Sequence, residues 1–180
     1  MDVPRNWNAH YSDPSNLDFT PHPLLVEVAE LVPAGRALDL ACGYGRNALH
    51  LASLGWQVTA VDSSSVGIEI LRERGRGANV DARLANLEAG EFSIATGAFD
   101  LICDFFYLQR DLFPQIREGV RPGGVFVGAI HLSDDTPGRN PAFVLQPGEL
   151  RKEFAGWKIL FYSEGQGRSR RSARIIARRA

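Results

Sequence analysis

Two acidic residues and two glycines have the types and spacing of a nucleotide-binding loop. Asp39 lies in a predicted strand, Gly43 and Gly45 break the chain after it, and Asp62 ends the next predicted strand. Glycines allow a tight turn and a close approach of the backbone to a ligand. The helix that follows presents free amides and a positive dipole end, which suit a carboxylate or a phosphate. An acid at position 62 is placed to bind ribose hydroxyls.

Two classes of cofactor are consistent with this loop. Gly43, Gly45 and Ala48 fit the G-x-G-x-x-[GA] pattern of dinucleotide-binding proteins. Asp39 favours a ligand with an amino group, because an acid ahead of the turn attracts an ammonium and repels a pyrophosphate. We expect too little chain for a separate substrate domain, and a C-terminal hairpin is foreign to the dinucleotide fold. An amino-acid-bearing ligand is therefore favoured, and a nicotinamide-dependent dehydrogenase is the alternative.

Strands and helices are predicted to alternate around the loop. Helices separate most of the predicted strands, which are residues 36–41, 56–61, 80–85, 99–103, 125–131, 157–162 and 173–177. This alternation predicts an α/β fold with a doubly wound, mostly parallel sheet covered on both faces. The last two strands have no helix between them, so they are expected to form an antiparallel β-hairpin. Residues 122–124 are predicted to form a turn.

Length and composition favour one domain over residues 1–180. The chain has 180 residues, of which 44% are hydrophobic and 23% are charged, as is typical of a globular domain. Residues 1–22 are polar and irregular and carry Trp7 and Tyr11, so we expect an N-terminal lid segment ahead of a core at 23–180. The net charge of -1 makes nucleic acid an unlikely partner, and it does not favour binding to an anionic membrane.

Expectations about cellular location and metal binding also follow from the sequence. No apolar run of about 18 residues is present, and the N-terminal residues do not have the pattern of a secretory signal. Cys42 and Cys103 show neither metal-ligand spacing nor a CxxC pattern. We therefore expect a cytoplasmic protein with reduced cysteines, no membrane partner and no metal.

The loop and its flanking strands resemble those of class I S-adenosylmethionine (SAM)-dependent methyltransferases. Residues 39–45 are similar to the first SAM motif of that superfamily, and Ala60-Val61-Asp62 to the second. Residues 99–102 resemble the strand before the active-site loop, and residues 121–124 the turn before the fifth strand. The resemblance implies a Rossmann-like fold and an enzyme that transfers the methyl group of SAM.

A subgroup of that superfamily is also indicated. Residues 45–48, and the later stretches 147–150 and 156–157, resemble the tellurite-resistance methyltransferase group. This resemblance implies a small-molecule acceptor such as a soft oxyanion or a thiol.

The resemblance further implies roles for individual residues. Asp39 would bind the amino group of SAM, Arg46 and Asn47 its carboxylate, and Asp62 its ribose hydroxyls. Ser63, Asn86 and Leu87 would lie beside the adenine, and Asp104 and Phe105 beneath the methionine. The implied cofactor-binding residues are Asp39, Gly43, Gly45, Arg46, Asn47, Asp62, Ser63, Asn86, Leu87, Asp104 and Phe105.

The chemistry of the acceptor decides whether a base is needed. Methyl transfer is an in-line displacement in which alignment supplies much of the acceleration. A soft anion or thiolate needs no base, whereas a hydroxyl or an amine does. The candidate catalytic residues on the acceptor side are Tyr11, Tyr107, Arg110 and His131. Trp7 and His10 are further acceptor-side candidates, and Arg168, Arg170 and Arg171 belong to a predicted basic turn. A NAD(P)-dependent oxidoreductase and a non-catalytic SAM-binding module remain alternatives.

Overall fold

A computed structural model describes residues 6–133, 140–166 and 170–180. The strands are β1 Arg36–Leu40, β2 Gln57–Asp62, β3 Val80–Leu84, β4 Phe99–Phe105, β5 Val120–His131, β6 Lys158–Gln166 and β7 Arg171–Arg178. The helices are α1 Trp7–Tyr11, α2 Pro23–Leu31, α3 Arg46–Ser53, α4 Ser65–Arg74, α5 Leu112–Gly119 and α6 Glu149–Glu153. Within these ranges, no helix is long and apolar enough to cross a membrane.

The strands form one sheet in the order β3-β2-β1-β4-β5-β7-β6. β1 to β5 are parallel, and β7 is antiparallel to both β5 and β6. This confirms the predicted α/β sheet with its C-terminal hairpin. The strand order reverses between β1 and β4, whose carboxyl ends lie side by side. In open α/β sheets, ligands bind in the crevice at such a point.

Apolar clusters on both faces of the sheet hold the strand ends in place. One cluster includes Leu25 of α2, Leu51 of α3 and Ile68 of α4, all fully buried. The other includes Phe113 of α5 and the buried Phe154, which follows α6. Close-packed side chains have low compressibility, so these clusters fix the positions of the residues that end β1, β2 and β4.

Three local predictions from the sequence are wrong. Residues 7–11 form helix α1, because the Asn6 side chain accepts a hydrogen bond from the Ala9 amide at 3.1 Å and so begins a helical turn. Residues 122–124 belong to β5, where Gly123 has φ +80° and its amide donates to the Arg179 carbonyl. Residues 104 and 105 do not follow β4 but end it.

Gly45 is required for packing inside the fold. It has φ +86° and precedes α3, and a Cβ built on it would lie 2.2 Å from Leu71 Cδ1 in α4. The missing side chain therefore leaves room for a neighbouring helix, whereas the sequence pattern predicted room for a ligand. Gly55 has nearly the same φ of +88°, but a Cβ there would have no neighbour within 4 Å among the described residues.

These two glycines give a matched test of the packing. Gly45→Ala and Gly55→Ala should each lose about 1–2 kcal/mol of unfolding free energy from the left-handed backbone. Gly45→Ala should lose about 1–3 kcal/mol more, because its methyl group overpacks the contact with Leu71. Urea denaturation measures both values. Equal losses for the two variants would show that α4 does not constrain the turn.

Candidate cofactor and acceptor site

Three buried carboxyl groups end neighbouring strands at the carboxyl edge of the sheet. Asp39 in β1, Asp62 in β2 and Asp104 in β4 are 1%, 8% and 3% exposed. Burial is the main cause that raises the pKa of each group above its ordinary value. For Asp39 the pKa rises to about 7. Acids that are both buried and close together favour a cationic ligand, because a positive charge stabilises their ionised forms.

One oxygen of Asp39 lacks a well-formed hydrogen bond within the described residues, although the Ala48 amide of α3 is near enough to lower the pKa of the carboxyl group. Its Oδ1 lies 3.3 Å from the Cys103 thiol, which donates to it from the adjacent strand. Its Oδ2 is buried and has no hydrogen-bond partner in the described part of the chain. Buried polar atoms are nearly always paired, so each exception calls for an explanation. An ammonium group from a ligand fits this oxygen, since it brings both donors and a positive charge.

Asp62 holds the glycine turn together. Its Oδ2 accepts from the Gly43 amide at 2.8 Å, and its Oδ1 accepts from the Ser64 amide at 2.7 Å. The carboxylate thus ties β2 to the turn on one side and to the start of α4 on the other. Each carboxylate oxygen can accept a further hydrogen bond, so the ribose role implied for Asp62 is compatible with these contacts.

Two residues at this edge adopt a backbone conformation that side chains rarely adopt. Ala41 has φ +49° and Phe106 has φ +67°, and they are the non-glycine residues with positive φ within the described ranges. They follow β1 and β4, the two strands at the reversal of strand order. Strained residues of this kind cluster at functional sites. Neither conformation could be predicted from the sequence, because neither residue is a glycine or an asparagine.

The N-terminal segment lies over the glycine turn. The Asn8 side chain accepts from Ser64 Oγ at 2.7 Å and from the Val66 amide at 3.3 Å, which docks α1 on the start of α4. The Tyr44 hydroxyl accepts from the Asp18 amide and donates to the Asp18 carbonyl, both at 2.9 Å. These contacts join residues 6–22 to the turn, and sequence reasoning missed them because they depend on tertiary folding.

Tyr11 points from that segment into the site. A Cβ built on Gly43 would lie only 2.7 Å from the Tyr11 hydroxyl, so the glycine permits the tyrosine to approach. Burial and then the Asp62 carboxylate raise the pKa of Tyr11 far above its ordinary value. At neutral pH the hydroxyl therefore stays protonated and acts as a hydrogen-bond donor. Trp7 stacks on Tyr11, with ring centroids 5.5 Å apart.

The other residues implied for cofactor binding differ in their surroundings. Arg46 is half-buried, and its charge partly offsets the effect of burial on the pKa of Asp39. Asn47 is buried, and its Oδ1 accepts from the His22 amide at 2.9 Å. Asn86 is exposed and accepts from the Glu88 amide at 3.0 Å, whereas Leu87 is buried. Ser63 is exposed in the short connection between β2 and α4.

The acceptor-side candidates do not share one role. Arg110 forms a structural clamp, and its role on the acceptor side stays a prediction. Its Nε and Nη2 donate to Glu149 at 2.6 and 3.2 Å, and its remaining N–H groups reach the carbonyls of Pro141, Ala142 and Val144. Every donor of the guanidinium is thereby engaged. Arg168, in the basic turn, lies outside the described residues.

Aromatic rings and imidazoles surround the end of β4. His22 stacks on Phe105 with centroids 4.2 Å apart, and His131 stacks on Phe106 at 4.9 Å. The Tyr107 hydroxyl donates to Gln109 Oε1 at 2.6 Å, and burial is the main cause that raises its pKa above the ordinary value. His10 instead packs with Trp7 at 5.5 Å in α1. Sequence reasoning missed His22, because its spacing from β4 carries no local signal.

Comparison with known sequences places the chain in a family. The profile described as "Tellurite resistance protein TehB" matches residues 6–177. The chain belongs to the TehB family. This confirms the resemblance to the tellurite-resistance group noted from residues 45–48, 147–150 and 156–157, and the family and its relatives imply SAM as the cofactor.

Two curated relatives match most of this chain. "Probable S-adenosyl-L-methionine-dependent methyltransferase TehB" of Haemophilus influenzae is 30% identical over 155 residues, which are 81% of this chain and 54% of the relative. "Hemagglutinin 1" of Eikenella corrodens is 31% identical over 163 residues, which are 82% and 52% of the two chains. The chain thus spans about half the length of the curated relatives it matches.

Two solved structures share the fold. The crystal structure of TehB from Haemophilus influenzae matches with a TM-score of 0.81 and 25% identity, over 97% of this chain and 67% of that one. A SAM-dependent methyltransferase from Methanosarcina mazei matches with a TM-score of 0.70 and 18% identity, over 89% and 98% of the two chains. The second likeness shows the fold alone.

The position of Asp39 predicts how cofactor binding depends on pH. Its pKa is about 7 in the free protein, and a bound ammonium should lower it, so binding below pH 7 must release a proton. The affinity for S-adenosylhomocysteine should therefore fall about tenfold between pH 8 and pH 6 and stay nearly constant above pH 8. Calorimetric titration across this range measures the profile.

Asp39→Asn is the control for that profile, because it keeps the shape of the side chain and removes its titration. Its binding should be weaker and depend less on pH. Any dependence that remains reports the nearby Asp62 and Asp104, whose pKa values are also raised. An unchanged profile in Asp39→Asn would mean that Asp39 does not meet the ammonium.

Proposed function

We propose that this chain is a methyltransferase that moves the methyl group of SAM to a small acceptor, either a soft oxyanion or a thiol. The observation that carries the proposal is the buried, unpartnered Oδ2 of Asp39 ahead of the glycine turn. A ligand with an ammonium beside a sulfonium suits an edge lined by buried acids. The relatives named as SAM-dependent methyltransferases support the same reading.

The cofactor would be held by several groups at once. Its ammonium would meet Asp39, and its carboxylate would lie near Arg46 at the start of α3. Its ribose would reach Asp62, and its adenine would reach the loop after β3 that contains Asn86. The methyl group would then lie near the ends of β1 and β4, beside Asp104.

An acceptor that needs no base suits the residues near that methyl group. The raised pKa values of Tyr11 and Tyr107 keep both hydroxyls protonated at neutral pH, and Arg110 is occupied by Glu149. A lone pair on the acceptor forms the new bond to the methyl carbon while the S–CH₃ bond breaks. The electron pair of the broken S–CH₃ bond stays on sulfur, and S-adenosylhomocysteine leaves with its sulfur as an uncharged thioether. The family name, tellurite resistance protein, favours an oxyanion as acceptor.

The two alternatives have weaker support. A nicotinamide-dependent oxidoreductase would place a pyrophosphate near the buried acids, which would repel it. A SAM-binding module without catalysis would bind the same cofactor, and only turnover distinguishes it from an enzyme.

We also propose that residues 1–22 act as a lid. Within the described residues 6–22, α1 has no buried side chain, so the segment covers the site without contributing to the core. The contacts of Asn8, Tyr11 and Tyr44 hold it above the glycine turn. Closing over the cofactor would exclude water and align the acceptor.

Turnover with a panel of acceptors tests the enzyme directly. The protein should convert SAM to S-adenosylhomocysteine with selenite, tellurite or a small thiol, and mass spectrometry should detect the methylated product. A catechol and a primary amine serve as acceptors that need a base, and they should react far more slowly. Binding of SAM with no turnover on any acceptor would favour the non-catalytic module. Binding of NAD without SAM would favour the oxidoreductase.

Loosening the N-terminal segment tests the lid. Deletion of residues 1–19 should leave a cooperatively folded domain, because both apolar clusters remain, and should lower turnover. Tyr44→Phe is a gentler variant that removes two hydrogen bonds to Asp18, each worth about 1 kcal/mol. It should lower turnover less than the deletion does. Thermal unfolding and steady-state rates measure these effects. Full activity after the deletion, or an unfolded product, would rule out a lid.

A further inference from the structure

One glutamine side chain joins two loops at the carboxyl edge of the sheet. Gln109, in the loop after β4, accepts from the Tyr107 hydroxyl at 2.6 Å through its Oε1. Its Nε2 donates at 3.3 Å to the carbonyl of Leu87, in the loop after β3. Both ends of the amide group are thus used. This connection from Tyr107 through Gln109 to Leu87 is the Gln109 bridge.

The Gln109 bridge connects two strands that are not neighbours. In the strand order, β2 and β1 lie between β3 and β4, so β3 and β4 are three strand spacings apart, about 14 Å. The two intervening strands carry Asp62 and Asp39, where the ribose and the ammonium of the cofactor are proposed to lie. The bridge therefore links the adenine end of the proposed site to its methyl end.

The connection between β3 and β4 contains no helix over residues 85–98, all of which the structure describes. Leu87 and Leu108 are buried in the same apolar cluster, so the two loops approach each other directly. β3 is also an edge strand, paired with β2. The loop after β3 is thus held toward β4 by its own packing and by the bridge, without a helix between them.

The loop after β3 is a closed unit. Asn86 Oδ1 accepts from the Glu88 amide at 3.0 Å, and the Glu91 side chain accepts from the Asn86 amide at 2.7 Å. The Leu87 carbonyl, which receives the bridge, also accepts from the Gly90 amide at 3.0 Å. Adenine bound against this unit would hold it as a whole, including the carbonyl that Gln109 contacts.

The other end of the bridge leads to Asp104. The Tyr107 amide donates to Asp104 Oδ1 at 3.3 Å, and the methyl group is proposed to lie beside Asp104. Burial and then the Glu88 carboxylate raise the pKa of Tyr107 above its ordinary value. The hydroxyl therefore stays protonated at neutral pH and keeps donating to Gln109. A displacement of the loop after β3 can thus reach Asp104 through Gln109 and Tyr107.

We propose that Gln109 is a positioning residue that couples adenine binding to the alignment of Tyr107 and Asp104 at the methyl end of the site. Its part in the reaction rests on the proposed methyltransferase function, whereas the bridge between the loops does not. Gln109 would touch neither the cofactor nor the acceptor and would act through the groups at its two ends. A cofactor that fills the adenine end would thereby fix the groups that face its methyl group.

Gln115 is a matched control. Its side chain also contacts the connection between β3 and β4, because its Oε1 accepts from the Ile94 amide at 3.3 Å. It lies in α5 and contacts residue 94, not the loop at the carboxyl edge. Gln115→Leu therefore loses a similar hydrogen bond to the same connection and leaves the Gln109 bridge intact.

Hydrogen–deuterium exchange tests the coupling, with adenosine as the probe because it fills only the adenine and ribose end of the proposed site. In the parent protein, saturating adenosine should slow exchange in residues 86–91 and also in residues 104–110. In Gln109→Leu it should slow exchange in residues 86–91 alone, and Gln115→Leu should behave as the parent protein does. Without ligand, Gln109→Leu should exchange about three- to tenfold faster in both segments, the factor expected from a neutral hydrogen bond.

Gln109→Glu separates the two bonds of the bridge. Its carboxylate can still accept from the Tyr107 hydroxyl but cannot donate to the Leu87 carbonyl, so it should lose the coupling as Gln109→Leu does. With SAM and an acceptor that the parent protein methylates, both variants should lower kcat about three- to tenfold. The KM for the acceptor should change less, because the bridge aligns groups beside the methyl group and does not bind the acceptor.

Other outcomes overturn the proposal. If adenosine slows exchange in residues 104–110 equally in Gln109→Leu and the parent protein, or in neither, Gln109 does not carry a coupling. Equal losses in Gln109→Leu and Gln115→Leu, or unchanged exchange of ligand-free Gln109→Leu, would also contradict it. If neither adenosine nor S-adenosylhomocysteine slows exchange anywhere in the parent protein, the proposed function is wrong. The ligand-free comparison then decides whether Gln109 holds the two loops together.

Discussion

The site depends on the cost of burying a carboxyl group with one oxygen left unpaired. Asp39 is almost completely buried, and the Cys103 thiol satisfies only one of its oxygens. Burial disfavours the charged form of an acid, and an unpaired buried acceptor adds to that cost. A cation at this point relieves both effects. The remaining acids at the edge, Asp62 and Asp104, increase the same preference for a positively charged ligand.

The fold creates this arrangement by its strand order. β1 lies between β2 and β4, so the three acids meet at one edge although they are far apart in sequence. The register that pairs Asp39 with Cys103 places the thiol beside the carboxyl group. Asp62 then fixes the glycine turn through the Gly43 amide, and the N-terminal segment covers that turn. The strand order thus positions the acids, Asp62 positions the glycine turn, and the turn positions the N-terminal segment.

The sequence could predict the parts that local pattern controls. Alternating strands and helices gave the sheet and its hairpin, and the acid and glycine spacing located the edge where Asp39 and Asp62 lie. Contacts between distant segments could not be predicted. The clamp between Arg110 and Glu149 and the Gln109 bridge depend on register and loop paths. Helix α1 was missed because a single capped turn has too little periodicity to detect.

The central claim is that Asp39 binds the ammonium group of the cofactor. The most direct measurement compares the binding of two ligands, S-adenosylhomocysteine and 5′-methylthioadenosine, which lacks the amino-acid portion. In Asp39→Asn, the affinity for S-adenosylhomocysteine should fall about ten- to a hundredfold, because a charged hydrogen bond is lost. The affinity for methylthioadenosine should not change. Equal losses for the two ligands, or no loss for S-adenosylhomocysteine, would contradict the account.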